Sequence, residues 1–257
     1  MKAAGLAVVS LLLCTPLRAQ TPAGVGFDQR LDAQVPLDLA FRDDGGRAAR
    51  LGDLLAGKPA ILALVYYRCP MLCTETLNGL VRALRALSFD AGRQFDVVVV
   101  SIDPRETAAL AAAKKKLYVE RYGRTSGAKG WTFLTGDEAS IRRLAAAVGF
   151  RYVYDADLRQ YAHATGLVVL TPDGRVSRYL YGVEYPAGDL RLALVEAAAG
   201  KIGTPVDLLL LYCYHYDPLS GRYGLVVTRV LRAAGALTVL LLAALILGLS
   251  ARRRAEA

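Results

Sequence analysis

The stretch Pro59-Ala60-Ile61-Leu62-Ala63-Leu64-Val65-Tyr66-Tyr67-Arg68-Cys69-Pro70-Met71-Leu72-Cys73 joins an unbroken apolar run to two cysteines one helical turn apart. A run from Ala60 to Tyr66 with no polar face predicts a central strand buried on both sides. Thr74–Leu87 then places Leu77, Leu80, Val81, Leu84 and Leu87 on one stripe, which predicts an amphipathic helix. Cys69 therefore follows a buried strand and opens a helix. Pro70 suits the first helical turn, where its missing N–H costs nothing. Thiols at i and i+4 can point the same way from that turn.

Strand and helix signals continue to alternate on both sides. Upstream, Leu37–Arg50 reads as a hairpin around Asp43-Asp44-Gly45-Gly46, followed by a short helix over Leu51–Ala56. Downstream, Phe95–Ile102 holds four consecutive valines and predicts a second buried strand. Thr107–Tyr122 predicts a helix whose Lys114-Lys115-Lys116 run is read as a solvated face. Trp131–Leu134 is a short strand, and Glu138–Val148 a helix begun at Asp137. Gly166–Leu170 and Val176–Tyr181 form a hairpin across Thr171-Pro172-Asp173-Gly174, and Ala187–Ala199 closes the domain as a helix. The expected class is α/β, a sheet covered on both faces with an N-terminal hairpin extension.

The chain has 257 residues and 54% hydrophobic content, which suits one globular domain plus membrane segments. Met1-Lys2 followed by the apolar Ala3–Leu13 reads as a signal peptide over 1–19, with a cut before Gln20; retention as an anchor is the alternative. Residues 20–36 read as a linker and 37–203 as the globular domain. A juxtamembrane segment spans 204–232, a transmembrane helix 233–250 and a cytoplasmic tail 251–257. Arg252-Arg253-Arg254 holds that tail on the cytoplasmic side and leaves the rest of the chain outside. The net charge of +9 is spread along the chain, and export argues against a nucleic-acid partner. Removing the signal peptide leaves Cys69, Cys73 and Cys213, an odd set in an oxidising compartment. At least one thiol must then be free, metal-bound or paired between chains.

Both cysteines sit where helix N–H groups and the helix dipole lower a thiol pKa, which serves metal ligation and disulfide exchange alike. Thioredoxin-type redox motifs place two residues between the cysteines, and here there are three. An inert pair of core cysteines is the remaining alternative. His163, in Tyr161-Ala162-His163-Ala164, is expected in a loop ahead of the strand at Gly166. An imidazole brought to the two thiols completes a Cys2His set, which suits copper better than magnesium or calcium. Asp103 ends the second buried strand and reads either as support behind the cysteines or as the cap of the next helix.

Taken together, Tyr67-Arg68-Cys69-Pro70-Met71-Leu72-Cys73, Ser101-Ile102-Asp103-Pro104-Arg105-Glu106-Thr107, Trp131-Thr132-Phe133-Leu134-Thr135-Gly136 and His163 ahead of Pro172-Asp173-Gly174 resemble the Sco/SenC family, over Val35 to about Lys201. The resemblance implies a thioredoxin-like fold that binds copper through Cys69, Cys73 and His163. It also implies work on the copper centre of cytochrome c oxidase, by delivering copper, by reducing the target's cysteines, or both. The implied partner is the copper-bearing oxidase subunit or another copper protein. A thiol–disulfide oxidoreductase using Cys69 and Cys73 as its catalytic pair, and a copper or redox sensor, remain open beside it. Ala162 stands where many members carry an acid before the histidine, and Glu106 where the Asp-Pro turn often continues to Asp. The C-terminal anchor resembles a bacterial branch. In that branch Leu211-Tyr212-Cys213-Tyr214-His215-Tyr216-Asp217-Pro218 is similar to a recurring segment, making Cys213 and His215 either an auxiliary soft-metal site or part of an interfacial aromatic belt.

Overall fold

The computed structural model describes residues 24–55, 57–69, 72–125 and 127–202, with 216–217, 222–223, 232, 235–239 and 242; at 72, 73, 216, 217, 222 and 223 it describes the backbone alone. The expected signal peptide, the pair Cys213/His215, the tail and most of the juxtamembrane and transmembrane spans lie outside these residues. Among the described residues no helix is long and apolar enough to cross a membrane.

Five strands make the central sheet. They are β4 (Ala60–Val65), β5 (Asp96–Ser101), β6 (Trp131–Leu134), β9 (Gly166–Leu170) and β10 (Val176–Tyr181), in the order β10-β9-β4-β5-β6. The continuous apolar run puts β4 in the middle, and all six of its residues are buried. β5 lies parallel to it, from Ala60 opposite Asp96 to Val65 opposite Ser101. β6 is parallel to β5, whereas β9 and β10 return antiparallel. Helices α2 (Leu72–Ala86) and α3 (Ala108–Tyr122) make the two crossovers that parallel pairing requires. Thr107 caps α3 by accepting from the Leu110 N–H, and Gly123 ends it with φ 73°, a left-handed turn suited to glycine. Asp137 caps α5 (Glu138–Ala147) in the same way through Ser140. The N-terminal hairpin of β2 (Ala40–Arg42) and β3 (Ala48–Arg50) leads into α1 (Leu51–Leu55), a four-residue α4 spans Gly127–Gly130, and α6 (Ala187–Ala198) follows β10. Phe133 stacks between Tyr118 of α3 and Trp131, all fully buried.

Residues 24–36, read from composition as a linker, dock on this body. Val35 is fully buried, and the Gln34 side chain donates to Asp173 O and Gly174 O at 2.8 and 3.1 Å. β1 (Gly26–Phe27) joins β7 (Phe150–Asp155) and β8 (Gln160–His163) in a three-stranded sheet that pattern reading did not anticipate. Here the expectation for His163 is corrected. It is the last residue of β8, opposite Tyr152, rather than part of a loop. The hairpin hides in the sequence because its turn, Ala156-Asp157-Leu158-Arg159, has no glycine. Arg159 itself takes φ 52°.

Candidate metal centre

The C-terminal ends of β4 and β5, where ligands gather in α/β sheets, meet the β7–β8 hairpin. Past β4 the chain turns, with the Cys69 N–H donating to Tyr66 O at 3.3 Å. Cys69 is half-buried, and α2 begins three residues later. The turn is clamped from behind by Glu106, which is 6% exposed. One carboxylate oxygen accepts the Tyr67 N–H at 2.7 Å and the Ser101 hydroxyl at 2.6 Å; the other accepts the Arg68 N–H at 2.7 Å. Tyr67 is buried, its hydroxyl donating to Leu134 O at 2.7 Å. Burial and the Glu106 charge push that phenol well above its ordinary pKa.

His163 comes to the same end from β8. It is 7% exposed, and its ring stands edge-on to Tyr66, three residues before Cys69, with centroids 6.0 Å apart. Phe150 packs at 5.8 Å from the ring. Its Nδ1 lies 2.8 Å from Ala164 O. A carbonyl can only accept, so Nδ1 carries the proton and Nε2 is the nitrogen left with a lone pair for a metal. The structure thus brings His163 to the turn that presents Cys69. Cys73 lies in the first turn of α2, with its side chain outside the description. Among the described residues no three acidic, cysteine or histidine side chains gather round one point. A half-buried thiol and a buried imidazole of fixed tautomer, both reaching the turn after β4, are soft donors of the kind that fits copper.

Asp103 does not cap α3, and it lines the same cleft as Tyr66 and Arg68. Its carboxylate is held by Arg105, Nε to Oδ1 and Nη2 to Oδ2 each at 2.8 Å, while Thr107 caps α3. Arg105 in turn lies over the rings of Tyr154 at 5.0 Å and Tyr161 at 5.8 Å. This ties the β5–α3 loop to the hairpin carrying His163. Burial alone would raise the Asp103 carboxyl; the Arg105 bonds outweigh it and hold the group below the usual carboxylate range. A depressed folded pKa contributes stability that is present above the unfolded value and lost as pH falls through the folded one. Arg105→Gln is therefore expected to move the acid limb of unfolding, followed by circular dichroism, to higher pH. An unmoved limb would show that the pair carries no stability.

Glu106, Arg105, Tyr66 and Tyr161 were not singled out as site residues from the sequence. The available signal was an acidic residue just past the end of a buried strand, where strand-end backbone donors need an acceptor.

The family model described as SCO1/SenC matches residues 32–195. The chain belongs to the SCO1/SenC family. A Stutzerimonas stutzeri protein provisionally named as copper-binding is 26% identical over 131 residues, covering 50% of this chain and 60% of that one, so the match spans less than two thirds of the relative. An Aquifex aeolicus protein, provisionally described in its crystal structure as an electron-transfer protein, is 27% identical with a TM-score of 0.59, covering 67% of this chain and 96% of that one. Arabidopsis thaliana ScoI, solved with copper bound, is similar in fold, with 21% identity, a TM-score of 0.51 and coverage of 63% and 96%. The fold is the mixed α/β, thioredoxin-like fold of Sco proteins.

Proposed function

We propose that this chain is a copper protein of cytochrome c oxidase assembly, which holds copper through Cys69, Cys73 and His163 and delivers it to, or prepares, the oxidase copper centre. The observation that carries the reading is the arrival of His163, from a strand some ninety residues downstream, against the turn that presents Cys69. Family membership supports it, as does the copper-binding name of the S. stutzeri relative. The chain's own part in the chemistry is positional. Glu106 fixes the thiol-bearing turn, Ala164 sets the imidazole tautomer, and the apolar wall of Tyr66 and Phe150 limits water at the ring. Cysteine ligates as thiolate, so uptake requires both thiols reduced. Tethering by 233–250, with the domain in the periplasm, rests on the apolar run and the arginine stop that follows it. Cys213 and His215 are assigned to an auxiliary site of the same soft character.

Reduced protein carrying Cys213→Ser is expected to take up about one equivalent of copper, and X-ray absorption to count two sulfurs and one nitrogen. His163→Ala should weaken uptake by more than about tenfold, or 1.4 kcal/mol. Unchanged affinity would remove the imidazole from the site.

A second reading, thiol–disulfide exchange with Cys69 as nucleophile and Cys73 resolving, is favoured by the partial exposure of Cys69 next to the cationic Arg68. Loss of oxidase copper in cells carrying Cys73→Ser, but not in those carrying His163→Ala, would select it.

A further inference from the structure

Beside Cys69 lies a cleft of about 370 Å³, lined in part by Tyr66, Arg68, Asp103, Arg105, Arg159 and Tyr161. Three guanidinium groups face one carboxylate there. Asp103 is held through both oxygens by Arg105 and also feels the charge of Arg68, but one carboxylate balances only one of the three charges. Among the described residues the Arg68 and Arg159 side chains make no ion pair and no hydrogen bond. The cleft lining therefore carries two positive charges in excess of its one carboxylate. Arg159 also holds a left-handed backbone at φ 52°, which glycine would adopt without strain. Leu158, which lines the cleft at the hairpin tip, is 67% exposed, and Tyr154, whose ring lies under Arg105, is 39% exposed.

We propose that this cleft docks an acidic loop of a partner protein, one in which carboxylates flank a cysteine. The proposal rests on the reading of Cys69 as the residue that meets a partner's thiol or metal ligand. Guanidinium forks match carboxylates in geometry as well as charge. The cleft has room for the tip of a loop, and the exposed Leu158 and Tyr154 supply apolar contact beside it. Charge complementarity of this kind orients the encounter and raises its rate, so the partner's sulfur arrives at Cys69 already in register.

The test uses the full chain with Cys14, Cys73 and Cys213 changed to Ser, so that Cys69 is its one thiol. Two synthetic peptides of equal length each carry a single cysteine blocked as a 2-pyridyl disulfide, one flanked by Glu and the other by Lys. The Cys69 thiolate attacks the peptide sulfur, the Cys69–peptide S–S bond forms and the peptide–pyridyl S–S bond breaks. The leaving thiolate takes up a proton as pyridine-2-thione, whose absorbance reports the rate. The acidic peptide is expected to react about tenfold faster at low ionic strength, with the preference fading as salt rises. Arg68→Gln with Arg159→Gly should abolish the preference, and the glycine relieves strain at 159, so the loss is not a folding defect. Equal rates for the two peptides, or a preference that survives the double variant, overturns the proposal. Copper uptake by the double variant with its cysteines intact separates the readings. Retained uptake supports a docking role, while lost uptake places the arginines in the metal site and overturns it. Should the unaltered chain bind no copper yet keep the charge preference, the copper reading fails and the docking site stands.

Discussion

Glu106→Ala is expected to lower the unfolding free energy by about 3 kcal/mol, a fall of roughly 6–12 °C in the midpoint for a domain of this size. The carboxylate is buried and satisfies three donors, the N–H groups of Tyr67 and Arg68 and the Ser101 hydroxyl. Alanine removes the acceptor and leaves the donors. A donor stranded away from water costs about 1–3 kcal/mol, more than a hydrogen bond contributes when both partners are exposed. Glu106→Asp keeps the charge but is one methylene shorter, and cannot reach both backbone N–H groups while holding Ser101. Glu106→Gln keeps the reach but offers one acceptor oxygen in place of two. Both should fall between wild type and alanine. Copper affinity should drop with stability, because the clamped residues lead directly into Cys69. A midpoint within about 2 °C of wild type for the alanine variant would show that the turn is held by other means.

That clamp illustrates where sequence reading stops. The order of central strands and helices was legible because burial on both faces leaves a run such as Ala60–Val65 without a polar residue, and because Thr107 and Asp137 stand where helix caps belong. The β7–β8 hairpin was not legible. Its residues alternate weakly, Val153 and Tyr154 on its two opposite faces are both exposed, and its turn uses Arg159 where glycine would have announced a reversal. His163 was singled out as a residue, but the strand that carries it to Tyr66 was missed. Asp103 was read as serving the cysteines or a helix; its partner, Arg105, lies two residues away and is itself held by tyrosines of the unanticipated hairpin. Pattern reading follows burial along one element at a time. A polar side chain's partner is set by which elements meet, and the site lies where three of them do.

The same logic makes Gly79→Ala a strongly damaging substitution near the site. A Cβ at Gly79 would lie 1.8 Å from Val183 O and 2.9 Å from its carbonyl carbon, both backbone atoms that no rotamer change can clear. The contact is where α2 passes beneath the connection from β10 to α6. Tyr185 locks that connection by donating to Gly182 O at 2.6 Å, and Arg82 of α2 pairs with Glu184. Ordinary van der Waals separation demands a shift of about 1.5 Å by the helix or the strap, and overpacking of this kind costs about 3 kcal/mol. Against that, alanine returns at most about 1 kcal/mol of helix propensity. The helix is also the element whose first turn carries Cys73, so its displacement should weaken copper uptake together with stability. Gly188 supplies the control. It lies in the first turn of α6, and a Cβ there meets nothing within 4 Å, so Gly188→Ala should be neutral or stabilising by up to about 1 kcal/mol. Denaturant midpoints of the two variants measure the difference directly. If Gly79→Ala proves as stable as Gly188→Ala, the strap does not rest on α2 as described, and the position of Cys73 is not set by this contact.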